Sequence, residues 1–165
     1  ELEITDTIQI LLDEGFEVRH RLVNGWWKDT GRPEDILEAN RLVLSRLVSH
    51  NDGKIDPDAK ILGAISVGEG TLVMSSAMLR GPLIIGRNCR IGPDVRIGPY
   101  TSIGDNTIIR GAEIENTIVV GESKIECRKR IVDSIIGRNT QVMDSANGMR
   151  QGSRLIIGEN TVISL

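Results

Sequence analysis

Ile85-Gly86-Arg87-Asn88-Cys89-Arg90-Ile91-Gly92-Pro93-Asp94-Val95-Arg96-Ile97-Gly98-Pro99-Tyr100-Thr101-Ser102-Ile103-Gly104 is the stretch that decides the fold: an aliphatic residue returns at every sixth position, each time followed by glycine. The same count runs back through Leu79, Val73, Val67, Ile61 and Ile55, and forward to Ile109. Four residues after each aliphatic comes a mostly small or slim residue, from Ala59, Ile65, Thr71, Ala77 and Leu83 to Cys89, Val95, Thr101 and Thr107. A period of six suits neither an amphipathic helix nor a lone alternating strand. It suits a chain that makes a short strand, turns and repeats, with one aliphatic pointing inward from each side. Three sides close a coil, so equivalent corners recur every 18 residues, as at Val67-Gly68, Ile85-Gly86 and Ile103-Gly104. Glycine and asparagine are expected to supply the left-handed backbone that such corners need.

Beyond Ile109 the strict count slips while the corner motif continues. Val120-Gly121-Glu122-Ser123, Ile136-Gly137-Arg138-Asn139 and Ile157-Gly158-Glu159-Asn160 repeat Ile85-Gly86-Arg87-Asn88, at separations of 17, 16 and 21 residues from Ile103 onward. This reads as coils trimmed by one or two residues, then an insertion around Ser145-Ala146-Asn147-Gly148 that loops out from one corner. About six stacked coils are expected over residues 51–165, with Ile163-Ser164-Leu165 closing the array. The pattern resembles the left-handed parallel β-helix of hexapeptide-repeat proteins. The hand is what that resemblance implies, since the general rule for parallel crossovers gives the opposite one. Composition agrees with a narrow prism: 39% of residues are hydrophobic but only 2% aromatic, and there are 18 glycines.

Twenty basic and 23 acidic side chains leave a net charge of −3, so no strong field recruits nucleic acid or an anionic membrane. Cys89 and Cys127 stand 38 residues apart with no CxxC spacing, which reads as reduced thiols in a cytoplasmic protein. No stretch approaches the ~20 apolar residues of a membrane span. Glu1-Leu2-Glu3-Ile4 shows no signal-peptide pattern and no initiator Met, and is read as the start of a cut chain.

The first fifty residues differ in kind, holding Phe16, Trp26 and Trp27, three of the four aromatics. A helix is expected over 5–14, capped by Thr5 or Asp6 and stopped by Gly15. Phe16, Val18, His20 and Leu22 alternate as in a strand, and Gly25-Trp26-Trp27 reads as a second one before the turn Asp29-Thr30-Gly31. Pro33 opens a helix to about Val48, with Glu34 and Asp35 in its first turn. Ser49–Gly53 then forms a linking loop. Fifty such residues cannot bury a core of their own, so 1–50 reads as the end of a larger α/β domain and 51–165 as the repeat domain.

Glu1-Leu2-Glu3-Ile4-Thr5-Asp6 followed by Gly25-Trp26-Trp27-Lys28-Asp29-Thr30-Gly31 resembles the closing part of the catalytic domain of sugar-1-phosphate nucleotidylyltransferases. The longer form Trp26-Trp27-Lys28-Asp29-Thr30-Gly31-Arg32-Pro33-Glu34-Asp35, running into Glu38-Ala39-Asn40, is most similar to the long-type glucose-1-phosphate thymidylyltransferases, which carry a C-terminal β-helix. Residues 130–139 and Gly158-Glu159-Asn160-Thr161 also resemble that group. The resemblance implies a reaction of a nucleoside triphosphate (dTTP or UTP) with a sugar-1-phosphate such as glucose-1-phosphate, assisted by Mg²⁺. The family's nucleotide-binding glycine-rich loop is absent, so the chain alone is expected to be inactive. By the same resemblance Asp29 matches a metal-binding carboxylate and Trp27 a position beside the sugar phosphate. The residues by themselves equally allow Asp29 to be a turn former and one of Trp26 and Trp27 to be core. Lys28 is open between a phosphate contact and a solvated side chain. Arg128-Lys129-Arg130 reads as a solvated corner. The alternative function is a hexapeptide-repeat acetyltransferase acting on a sugar phosphate. Such enzymes resemble one another in using a histidine base on the β-helix, whereas His20 and His50 both precede the expected repeats. A homo-oligomer through the β-helix is the expected assembly.

Overall fold

The computed structural model describes residues 3–144, 152–153 and 155–164. The repeat forms a parallel solenoid of about six coils with three faces. The first sheet stacks His50–Asn51, Ile65–Val67, Leu83–Ile85, Thr101–Ile103, Ile118–Val119, Ile135–Ile136 and Ile156–Ile157 in that order. The second stacks Lys54–Ile55, Leu72–Val73, Arg90–Ile91, Ile108–Arg110, Lys124–Glu126, Gln141–Met143 and Val162–Ser164. The third runs from Lys60–Leu62 through Met78–Arg80, Arg96–Ile97, Glu113–Glu115 and Arg130–Val132 to Gly152–Ser153. Each strand pairs with the one a full coil away, as in Leu83–Ile85 between Ile65–Val67 and Thr101–Ile103. Two or three residues per strand are enough because each coil presents its next aliphatic to the same interior. Val67, Leu79, Ile91, Ile109, Ile125 and Ile131 are all buried there.

The inward partners four residues on are buried too, Thr71, Cys89, Val95, Thr101 and Thr107 among them. Their hydroxyls find backbone partners: Thr71 Oγ1 donates to Gly86 O at 2.6 Å and accepts from Cys89 N at 2.9 Å. Ser123 repeats this on the same side three coils later, donating to Gly137 O at 3.2 Å and accepting from Thr140 N at 3.1 Å. No buried side-chain nitrogen or oxygen among the described residues lacks a partner.

Two corrections concern the corners. The inward residue of the trimmed coil is Val119, not Val120, which is 43% exposed; Ile103 pairs with Val119, Val119 with Ile136 and Ile136 with Ile157. The steps are therefore 16, 17 and 21 residues. Glycine and asparagine do supply positive φ at the corners, at Gly70, Asn88, Gly92, Asn106, Gly121, Asn139 and Asn160, but most glycines directly after an inward aliphatic serve a purpose other than positive φ. Gly104 does not have it; a Cβ there would sit 2.2 Å from Val120 O, so the next coil's backbone excludes any side chain. The expected insertion at 145–148 and the terminal Leu165 lie outside the described residues.

Ahead of the solenoid, α1 spans Ile4–Asp13, with Glu3 as N-cap in a capping box with Asp6 rather than Thr5 or Asp6 as cap. No residue of α1 is buried. The strands expected at 16–22 and 25–27 do not form, and residues 16–30 carry no regular structure. Alternation alone cannot make a strand where no sheet edge offers hydrogen-bond partners. For the same reason neither tryptophan is core: Trp26 is 43% exposed and Trp27 76%. The second helix, α2, spans Pro33–Leu44 and ends four residues short of Val48, with Leu37 and Leu44 buried. Ser49–Gly53 is not simply a loop, because His50–Asn51 is already the first strand, paired with Ser66 and Val67.

Candidate functional site

The residues singled out by sequence lie together just before α2. Lys28 Nζ contacts Glu38 Oε2 at 2.5 Å and Asp35 Oδ1 at 3.3 Å. Glu38 and Asp35 stand three apart on one helix face, as neighbouring positions of a helix must to share a partner. The Glu38 and Asp35 carboxylates raise the Lys28 ammonium above its ordinary value, and Lys28 in turn holds the Asp35 carboxyl below the usual range, aided by Arg32. Lys28 is thus held by helix carboxylates. Between the held Lys28 and Pro33, Asp29 is exposed, and its carboxylate makes no ion pair or hydrogen bond with the described residues. The Asx hydrogen bond of a turn is absent, although a Cβ at Gly31 would lie 3.7 Å from Asp29 Oδ1.

A hard cation such as Mg²⁺ takes carboxylate oxygens, and Asp29 offers a free one. No group of three His, Cys, Asp or Glu suited to a metal exists among the described residues. The described residues therefore supply one carboxylate of fitting chemistry and no complete coordination sphere.

Sequence reasoning missed the contacts that fasten α2 to the solenoid. Asn40 Nδ2 donates to Tyr100 O at 2.9 Å, and Ser102 Oγ donates to Asn40 Oδ1 at 2.6 Å. Arg41 Nε donates to Asn116 Oδ1 at 2.7 Å, Arg41 Nη2 lies 3.7 Å from Asp133 Oδ1, and the guanidinium sits 5.8 Å from the Tyr100 ring centre. Asn116 Nδ2 in turn donates to Asp133 Oδ1. Tyr100, Asn116 and Asp133 occupy one corner on three successive coils, each with positive φ. Nothing local in the sequence pointed from these residues to a helix 60 or more residues earlier.

At the corner between the second and third sheets a groove of about 720 Å³ is lined by Arg96, Arg110, Glu126, Arg128, Lys129 and Arg130, among others. Two of its cations form ion pairs: Arg110 with Glu126 at 3.1 Å, and Arg130 with Glu113 at 3.2 Å and Glu115 at 3.1 Å. The thiols of Cys89 and Cys127 are buried and pushed upward by that burial, which suits inert core residues. His50 stands on the solenoid itself, contrary to the expectation that both histidines precede it. Its Nε2 lies 2.8 Å from Asp52 Oδ2, both side chains being exposed.

Residues 79–164 match the family model described as the GMPPB C-terminal domain. The chain belongs to this family. Over its whole length it is 43% identical to the low-salt glycan biosynthesis nucleotidyltransferase Agl11 of Haloferax volcanii and 41% identical to a glucose-1-phosphate thymidylyltransferase of Streptomyces antibioticus, covering 46% of each. The family member described here thus spans about half the length of the curated relatives it matches. Among solved structures, a perosamine N-acetyltransferase from Caulobacter crescentus aligns over 96% of this chain and 70% of its own, with a TM-score of 0.42 and 17% identity. That likeness adds nothing to the strand pairing. No helix among the described residues is long and apolar enough to cross a membrane.

Proposed function

We propose that the chain is the C-terminal part of a nucleotide-sugar pyrophosphorylase of the glucose-1-phosphate thymidylyltransferase kind. The observation that carries this reading is the similarity to two nucleotidyltransferases at 41–43% identity across all 165 residues, the first fifty included. Residues 1–50 close the catalytic domain, and 51–165 form a solenoid for assembly into a homo-oligomer. A sugar phosphate oxygen attacks the α-phosphorus of dTTP or UTP, and pyrophosphate leaves. Mg²⁺, when bound, offsets charge on the triphosphate. Asp29 contributes one carboxylate to that ion, and exposed Trp27 packs beside the sugar phosphate. The unpaired, buried Cys89 and Cys127 suit a reducing cytoplasm. The alternative, acetyl transfer to a sugar phosphate, draws on the His50–Asp52 pair, but His50 lines neither that large groove nor the smaller one at Lys54–Asp56 and Leu72–Ser75.

One assay separates the two. The complete enzyme is given dTTP or UTP with glucose-1-phosphate and Mg²⁺, and separately acetyl-CoA with amino-sugar phosphates. Pyrophosphate release in the first, without thiol release in the second, is expected. Free coenzyme A without pyrophosphate, abolished by His50→Ala, would replace this reading with acyl transfer.

A further inference from the structure

Residues 26–29 have no sheet beneath them, yet Lys28 holds them to α2, and α2 is itself fastened to the solenoid. The two grips are close. Glu38, which takes Lys28, is three residues from Arg41, hence within one helical turn of about 5.4 Å. Leu37 and Leu44 are the buried residues of the same helix, and its polar contacts to the corner come from Asn40 and Arg41.

The solenoid end is built for this contact rather than for the corner alone. A left-handed backbone conformation is uncommon for residues other than glycine, with asparagine and aspartate the usual exceptions. At the corner between the first and second sheets it is filled by Gly70, Asn88, Asn106, Glu122, Asn139 and Asn160, one on each coil. At the corner beneath α2 it is held instead by Tyr100, Asn116 and Asp133, and each of these touches α2. Tyrosine is unfavourable for the corner, and it and Asp133 meet Arg41 with a ring face and a carboxylate.

We propose that α2 is a rigid link through which the solenoid corner Tyr100–Asn116–Asp133 positions residues 26–29, with Arg41 as the positioning residue at one end and Lys28 at the other. Its consequence for turnover rests on the reading of Trp27 and Asp29 given above; the mechanical link does not. Arg41 is the only cation that bridges α2 to two coils among the described ion pairs and hydrogen bonds. Cutting its contacts should free the segment without touching the solenoid core.

Backbone ¹⁵N relaxation of this chain tests the link directly. In the parent chain, order parameters of residues 26–29 are expected near the rigid limit of about 0.85, and to fall below about 0.6, the flexible range, in Arg41→Met. Asn116→Gly keeps the corner conformation, leaves the helix sequence intact and removes the acceptor of Arg41 Nε. It should give the same loss, and it decides the matter if Arg41→Met unwinds α2. Lys28→Met should loosen the segment equally, and the Arg41→Met/Lys28→Met double variant no further, because a chain cut at two places is no freer than one cut at either. Unchanged order parameters in Asn116→Gly, additive losses in the double variant, or a parent chain already mobile at 26–29 would overturn the proposal. In the complete enzyme, a raised KM for sugar-1-phosphate in Asn116→Gly would extend the link to catalysis. Loosening by relaxation with unchanged kinetics would leave the link standing and remove Trp27 and Asp29 from the catalytic site.

Discussion

Gly104 shows how tightly single residues are specified. It follows an inward aliphatic, as Gly68 and Gly86 do, and each faces the backbone of the next coil at a distance that no Cβ tolerates. At Gly104 the obstacle is a carbonyl oxygen, which cannot swing away as a side chain would. Gly104→Ala should therefore destabilise the solenoid toward the upper end of the roughly 1–3 kcal/mol typical of overpacking, seen as a lower denaturation midpoint. An unchanged midpoint would mean that the coils separate locally at little cost. The glycine was legible as a corner mark, but its physical reason was not. Sequence suggests a need for unusual φ, whereas coil-on-coil proximity is a property of stacked backbones that appears only in three dimensions. Tyr100 poses the converse difficulty: its side chain argues against a left-handed corner, and its contacts with α2 show what it does there.

At the level of elements, the six-residue period was enough to place the strands from Lys54–Ile55 to Ile108–Arg110, because each strand carries its own inward residue and needs no distant partner to be recognised. α2 was equally visible from Pro33 and its acidic first turn. The strands expected at 16–22 and 25–27 failed for lack of a sheet edge, which alternation cannot reveal. The trimmed coil misled by one residue because Val119 and Val120 are both aliphatic, and only pairing with Ile103 tells which points inward. The buried hydroxyls were read merely as slim residues, although they also tie adjacent coils together. Thr71→Val tests that role, since it keeps the volume and raises hydrophobicity. Cys89 N–H, which donates to Thr71 Oγ1 at 2.9 Å, would be left without that partner. A loss of about 1–3 kcal/mol is expected for a buried donor so orphaned. A gain in thermal stability would show that the hydroxyl contributes nothing beyond filling space.

On the scale of the whole molecule, a nearly self-sufficient solenoid is joined to a segment that has almost no core of its own. The solenoid's aliphatics are satisfied inside it, whereas α1, Phe16, Trp26 and Trp27 stay largely uncovered. The composition change near residue 50 runs parallel to this contrast. The site was less legible. Trp27 and Asp29 were found through resemblance, while the contacts that hold their segment, Lys28 to Glu38 and Arg41 to Asn116, join residues 10 and 75 apart in sequence. The reading of Asp29 as a metal ligand is tested most directly by the turnover of the complete enzyme carrying Asp29→Asn at saturating Mg²⁺. The substitution preserves shape and removes one negative charge. If Asp29 holds the ion, kcat should fall ~10²–10³-fold, the usual loss for one electrostatic element of a catalytic site, with little change in stability. Turnover above about a third of the parent enzyme's, far outside that range, would make Asp29 an ordinary surface residue and dismiss the site.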